Sequence, residues 1–232
     1  MLRHHLPDQR RGSPVKKLGD EHLKKLGLGL SGAHRTGKTT VAAQLAELNE
    51  APFLTSSASQ IAKDMGLKVD LGMAPSDRRA FQEEVLRRFI EQYEAEAGHG
   101  LFVTDRTPLD LAAYAMMDWD HRNTNPEHDA WLMDYVDRCM VATSQYFFLV
   151  GVIEPGIPYV TGPGKPAPNV VYQEGLNTTI MGLAYDPKVR SYVCVVGRDV
   201  LDTDRRCEIL ADRYADRVGA YQDNITAACG TH

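Results

Sequence analysis

Apolar positions in the chain fall into two kinds of block: short, nearly continuous runs, and longer stretches in which they recur every three or four residues. The first run, Leu26-Gly27-Leu28-Gly29-Leu30, stops at Ser31-Gly32, and a helical pattern starting at Lys38 carries Val41, Leu45 and Leu48. Strand, glycine loop and helix therefore follow one another. Pro52-Phe53-Leu54-Thr55 predicts a second strand, with its proline confined to the start. From Pro75-Ser76 to Ala97, the residues Phe81, Val85, Phe89 and Tyr93 mark an amphipathic helix ending at Gly98. Leu101-Phe102-Val103-Thr104 is a further strand, with Asp105-Arg106 at its carboxyl end and Pro108 opening the next helix.

Trp131, Leu132, Tyr135, Val136 and Met140 fall on one face of another helix. Tyr146-Phe147-Phe148-Leu149-Val150 and Tyr192-Val193-Cys194-Val195-Val196 read as buried strands, since polar residues hardly interrupt them. A last helix, from about Arg205 to Ala228, places Leu210, Tyr214, Val218, Tyr221 and Ile225 on one stripe. Strands alternating with helices imply an α/β fold, a mostly parallel sheet flanked by helices, which binds ligands at the carboxyl ends of its strands. Between 154 and 190 the residues Pro155, Pro158, Gly162, Pro163, Gly164, Pro166, Pro168 and Gly175 interrupt any long element. That stretch is expected to be a mobile, lid-like excursion over the site.

Length and composition change this picture little. A chain of 232 residues can bury a full core, and 43% hydrophobic with 25% charged residues is an ordinary globular mixture. The expectation is one domain over 26–232, preceded by a basic arm at 1–25. No apolar run is long enough to span a bilayer, and Met1-Leu2-Arg3-His4-His5-Leu6 lacks the apolar core of a secretory signal, so a cytoplasmic location with no membrane partner is expected. Cys139, Cys194, Cys207 and Cys229 form no metal-binding spacing and read as reduced thiols, three of them packing residues. The eight histidines are scattered without a carboxylate-backed i, i+4 pair.

Charge is distributed unevenly. Residues 1–17 hold Arg3, Arg10, Arg11, Lys16 and Lys17 against Asp8, a net +4, so the remainder carries −9 of the chain's −5 total. So acidic a body repels a phosphate backbone unless its basic residues gather on one face. The arm is expected to be a solvated tail, although it is also the one segment suited to nucleic acid.

The chemistry concentrates in Gly32-Ala33-His34-Arg35-Thr36-Gly37-Lys38-Thr39, a full match to G-x-x-x-x-G-K-[ST] with a strand before it and a helix after it. In such a P-loop, Gly32 and Gly37 permit close approach of phosphate oxygens, and amide N–H groups at a helix N-terminus supply positive charge. Lys38 reaches the β- and γ-phosphates of a nucleoside triphosphate such as ATP, and the Thr39 hydroxyl takes one Mg²⁺ position. The phosphate-binding set is completed by Thr40, and the variable positions His34, Arg35 and Thr36 have no separate role. Asp105 at the end of a neighbouring strand can hold a Mg²⁺ water or accept the proton of an attacking hydroxyl, and Arg106 can clamp a phosphate; a helix cap and a surface ion pair are the plainer alternatives.

The P-loop, together with Thr104-Asp105-Arg106-Thr107-Pro108-Leu109-Asp110, resembles P-loop kinases of the thymidylate kinase and deoxynucleoside kinase type, including phage-like members related to the ribosylnicotinamide kinase domain. The resemblance follows element order over most of 26–228, but only these two motifs are sharp. It implies the P-loop kinase fold, the assignments of Asp105 to Mg²⁺ or the acceptor hydroxyl and of Arg106 to substrate, and a basic lid. Only Lys165, Lys188 and Arg190 are basic between Glu154 and Arg190, which is fewer than such a lid usually holds; Lys165 is the lid candidate. Arg205 and Arg206, after the cap Asp202, stand where the family often contacts adenine, and helix-surface arginines are the alternative. Ser76, Arg78, Arg79 and Gln82 open the helix that faces the acceptor in this family. Arg79 and Gln82 share a face at i, i+3 and can read a base or phosphate, or simply face solvent.

The leading expectation is an ATP- and Mg²⁺-dependent kinase acting on a small nucleotide or nucleoside, foremost a pyrimidine deoxynucleotide. Some phage relatives instead phosphorylate 5-hydroxymethyluracil within DNA, which makes DNA the alternative partner; the arm favours it and the acidic body opposes it. A P-loop ATPase or switch shares the same loop. Against it, no hydrophobic strand ends in Asp-Glu and no second module is evident.

Overall fold

The computed structural model describes residues 26–55, 57–67, 73–118, 125–158 and 169–229. The arm at 1–25 and Lys165 fall outside these residues, as does the side chain of Ile225. The elements in chain order are β1 (Gly27–Ser31), α1 (Lys38–Leu48), β2 (Phe53–Leu54), α2 (Ala58–Asp64), α3 (Pro75–Glu96), β3 (Val103–Thr104), α4 (Pro108–Met117), α5 (Pro126–Tyr146), β4 (Phe147–Ile153), α6 (Val170–Ala184), β5 (Tyr192–Val196) and α7 (Thr203–Cys229). All strand pairings are parallel, in the order β2-β3-β1-β4-β5. Each crossover is helical, as parallel neighbours require.

The sheet separates two apolar layers. On one face α1 and α7 pack Val41, Leu45, Cys207 and Leu210 against Leu28, Leu30 and Leu149. On the other, α3, α4, α5 and α6 gather Phe89, Tyr93, Leu109, Tyr135, Leu176 and Ile180 over Phe147 and Val150. The alternation in β1 follows from this asymmetry. Leu28 and Leu30 fill the first layer, while Gly27 and Gly29 face a packed aromatic wall, where a Cβ on Gly29 would lie 2.7 Å from Phe147. Tyr93 sits at the centre of that wall, 6.0 Å from Phe102 and 5.0 Å from Phe147 between ring centroids.

Two helices go beyond the sequence expectation. Ser57 caps the short α2 by accepting from the Gln60 N–H at 3.1 Å. The stretch read as an unbroken excursion contains α6, a helix of 15 residues. The breakers Pro155 to Pro168 all precede it, Asn169 caps it by accepting from the Tyr172 N–H at 3.0 Å, and Leu176, Ile180 and Leu183 supply its buried stripe. Gly175, counted among the breakers, lies inside the helix; a Cβ there would meet the Met117 methyl at 2.6 Å, so it lets α6 approach α4 closely. Segment 159–168, with Lys165, lies outside the described residues.

Candidate active site

β1 delivers the chain at Ser31 to the sheet's carboxyl edge, and Gly32 to Gly37 turn it into α1. Three of these residues carry positive φ: Gly32 at 149°, Arg35 at 60° and Gly37 at 86°. A Cβ on Gly32 would collide with the Ile153 carbonyl oxygen, and Gly37 occupies the left-handed region as the N-cap of α1, so glycine is required at both. No acidic residue lies in the first turn of α1, which leaves its N-terminal dipole available to an anion. The Thr36 hydroxyl donates to the Ala33 carbonyl at 3.2 Å and fastens the loop across its base.

Lys38 curls back over the loop. Its ammonium donates to the carbonyls of Gly32 at 2.7 Å and Ala33 at 2.6 Å, and burial pushes its pKa down to about 8, with Asp110 opposing the shift. Thr39 points the other way, and its hydroxyl donates to Asp105 Oδ2 at 2.7 Å. Two residues 66 positions apart are thus neighbours because β1 and β3 are adjacent parallel strands ending at one edge. Arg106 places its guanidinium 5.6 Å from the Tyr114 ring centroid, a cation–π contact, while its carbonyl accepts from Thr104 and Tyr93.

Asp110 is the residue the sequence reading passed over. It is 1% exposed; Oδ1 accepts the Gly32 N–H at 3.2 Å and Oδ2 accepts the Thr107 N–H at 3.1 Å. Ser31 and Thr107 hydroxyls are bonded at 2.5 Å beside it. The first turn of α4 is thereby joined to the start of the P-loop. Burial raises the Asp110 pKa, and Lys38 is the leading cation that counters this. The signal was present as Thr107-Pro108-Leu109-Asp110, the spacing of a capping box, whose geometry is realised here.

α6 closes the other side of the loop. Gln173 donates to the His34 carbonyl at 2.8 Å, and the His34 and Tyr172 rings lie 5.9 Å apart. Burial lowers the His34 pKa, and Lys38 adds to the effect. Tyr172 donates to Asp118 at 2.7 Å, and Asp118 pairs with Arg78 at 3.1 Å, so α6, α4 and α3 are linked.

The remaining candidates divide. Arg79 and Gln82 both engage α5: Arg79 lies 5.4 Å from the Trp131 ring centroid and 3.7 Å from Glu127, and the buried Gln82 accepts from the Tyr135 hydroxyl at 3.1 Å. Gln82 is therefore not the solvated residue that was one of the two alternatives, whereas the Arg79 side chain, 42% exposed, still faces solvent while touching α5. Arg205 is exposed and pairs with Glu208 at 2.9 Å, as a helix-surface arginine does. Arg206, in contrast, is 1% exposed and donates to the Thr36 carbonyl at 2.6 Å, so the surface alternative is wrong for it. α7 docks on α1 through Cys207 and Leu210, and that docking carries Arg206 beneath the P-loop.

Among the described residues no cluster of three His, Cys, Asp or Glu side chains forms a metal cage, and no helix is long and apolar enough to cross a membrane. The Thr39–Asp105 oxygens nevertheless fit Mg²⁺, an ion commonly held by one or two protein oxygens with phosphate and water completing its shell.

Comparison with known proteins agrees with this fold. Among solved structures, deoxyadenosine kinase from M. mycoides with products dCMP and dCDP superposes with a TM-score of 0.61 at 14% identity, covering 82% of this chain and 99% of that one. Thymidylate kinase from Candida albicans gives 0.59 at 15% identity, covering 82% and 92%. The NadR protein in complex with NAD and AMP-PNP gives 0.57 at 14% identity, covering 83% of this chain and 50% of that one. These likenesses establish the P-loop kinase fold. No curated protein matches the sequence. The sequence model described as an AAA domain matches residues 29–150, from the middle of the P-loop strand into β4 and so more than half of the chain, and the chain therefore belongs to that family.

Proposed function

We propose that the chain is an ATP-dependent phosphotransferase that passes the γ-phosphoryl group to a small nucleotide or nucleoside. The observation that carries the proposal is the Thr39–Asp105 contact, which sets an acidic side chain beside the P-loop where an acceptor hydroxyl meets the γ-phosphate. A nucleotide hydrolase or switch uses the same loop, and the AAA domain family alone does not separate the two. The acid at the end of β3 and the cation Arg106 next to it favour a second substrate over water.

In this reading the P-loop amides and Lys38 bind the donor's phosphates and stabilise the charge that develops on the transferred group. Mg²⁺, held by Thr39 and organised by Asp105, would neutralise the β- and γ-oxygens. Asp105 orients the acceptor hydroxyl and receives its proton directly or through water, and Arg106 holds the acceptor in line. The acceptor favoured is a pyrimidine deoxynucleotide. Support comes from the fold shared with a deoxyadenosine kinase bound to dCMP and dCDP and with a thymidylate kinase.

The test is transfer of label from γ-labelled ATP, run side by side on deoxynucleoside monophosphates, free deoxynucleosides, DNA carrying 5-hydroxymethyluracil, and water. Labelled dCMP or thymidylate is the expected product. Label only in DNA moves the reading to base modification, and label only in inorganic phosphate replaces it with an ATPase.

A further inference from the structure

Arg206 is a buried cation with an unusual set of partners. The residue is 1% exposed, yet no carboxylate among the described residues pairs with it. Nε donates to the Val200 carbonyl at 2.6 Å and Nη1 to the Thr36 carbonyl at 2.6 Å, while Nη2 is buried with no hydrogen-bond partner among the described residues. A buried charge of this kind is costly unless it is neutralised. Loop and guanidinium are also in close contact: a Cβ on Gly37 would lie 3.2 Å from Nη1 and 3.0 Å from the Ile157 methyl.

The peptide that Arg206 grips joins Thr36 to Gly37. In a trans peptide the C=O and the following N–H point in opposite directions. A guanidinium fixed on the Thr36 oxygen therefore turns the Gly37 N–H away from α7 and into the loop, and polarises that amide so that it becomes a stronger donor. Gly37 has no Cβ and sits at a φ of 86°, so the peptide has little side-chain packing of its own to fix its orientation. Lys38 lies on the carbonyls of Gly32 and Ala33 at the other end of the loop. Two cations thus hold the loop's carbonyls from either end.

We infer that Arg206 is a positioning residue of the phosphate cradle: it sets the Thr36–Gly37 peptide for anion binding and supplies positive charge behind the loop that the donor's phosphates neutralise. This rests on the reading of the P-loop as a triphosphate site, but makes no use of the acceptor. It also moves Arg206 from the base of the donor to its phosphates.

The experiment is calorimetric titration of the full chain in Mg²⁺ buffer with ATP and, separately, with inorganic tripolyphosphate, for the unmodified protein, Arg206→Met and Arg206→Lys. Arg206→Met is expected to weaken both ligands to a similar extent, by roughly tenfold or more, as loss of a charge-assisted contact implies. Arg206→Lys keeps the charge but lacks the planar fork that spans the Val200 and Thr36 carbonyls, so it should fall between the two. The midpoint of chemical denaturation of Arg206→Lys should stay near that of the unmodified chain while its tripolyphosphate affinity falls, which a general loosening of the fold would not allow. Loss of ATP affinity with tripolyphosphate unaffected would assign Arg206 to the base and overturn the inference, as would wild-type affinities in Arg206→Met. Should the methionine variant fail to fold by circular dichroism, the lysine variant decides, and unaltered affinities there overturn it. If the unmodified chain binds neither ligand, the triphosphate-site reading itself is what has failed.

Discussion

The Thr39 hydroxyl and the Asp105 carboxylate meet at 2.7 Å, joining the first turn of α1 to the end of β3. If that pair organises Mg²⁺ and the acceptor hydroxyl, Asp105→Asn should lower kcat by about two orders of magnitude, the scale of a lost general base. ATP affinity should change little, because the P-loop amides and Lys38 remain. Single-turnover kinetics combined with titration of ATP checks this. A collapse of ATP affinity with kcat unchanged for bound substrate would make Asp105 a support for the loop only.

Lys38→Ala should abolish turnover. The ammonium lies on the loop itself, bonded to the Gly32 and Ala33 carbonyls. Its removal ends the desolvation cost of a charge whose pKa burial has pushed down to about 8, but it also takes the leading counter-cation from the buried Asp110; the two effects oppose, and the chain should remain folded. Full activity in this variant would refute the P-loop assignment.

Much of this was legible in the sequence, and what was missed has identifiable causes. The loop and the strand Tyr192–Val196 were readable because a glycine motif and an unbroken apolar run are local signals, but the strand is not the buried one expected: it lies at the sheet edge, with Tyr192 exposed and Val193 and Val195 half-buried. α6 was not, because Pro155 to Pro168 dominate the composition around it, although Asn169 followed by Leu176, Ile180 and Leu183 has the form of a capped helix. Arg206 stands four residues before Leu210 on the buried stripe of α7, so periodicity alone points it inward; its charge argued for the surface. The pairing of Arg79 and Gln82 with α5 is a tertiary contact that their i, i+3 spacing does not encode.

Asp110→Asn tests the link between α4 and the P-loop. The carboxylate accepts one backbone N–H on each oxygen, from Gly32 and Thr107. An asparagine has one acceptor oxygen and must turn its NH₂ toward the other donor. One buried N–H is then unsatisfied, which should cost about 1–3 kcal/mol of stability by chemical denaturation. Because Gly32 opens the phosphate loop, ATP affinity should weaken as well. Unchanged stability would mean the loop is held without Asp110.

The α3–α5 tether predicts a pH dependence with a definite sign. Glu83 on α3 accepts from Trp131 Nε1 at 2.7 Å and from both terminal nitrogens of Arg138 on α5, at 2.6 and 2.8 Å. The Arg138 hydrogen bonds hold its pKa below the ordinary 4.5 against the opposing effect of burial. A carboxyl group with a depressed folded pKa stabilises the fold fully above its unfolded value and loses that contribution as pH falls through the folded pKa. Glu83 is 38% exposed, so solvent screening keeps the contribution near the upper end of a surface pair, about 1 kcal/mol or less. For a chain of this size that corresponds to about 2–4 °C at most in the thermal midpoint. Glu83→Gln, which leaves an acceptor for Trp131 but removes the charge, should therefore melt below the unmodified protein between pH 5 and 7. The gap should narrow as pH drops from the ordinary 4.5 towards the lower folded pKa, below which the unmodified side chain is neutral in both states. Midpoints measured by circular dichroism from pH 7 down to the lowest pH at which both proteins stay folded decide the matter. A gap that keeps its full size through acid would show that Glu83 acts through packing with Trp131 and not through its charge on Arg138.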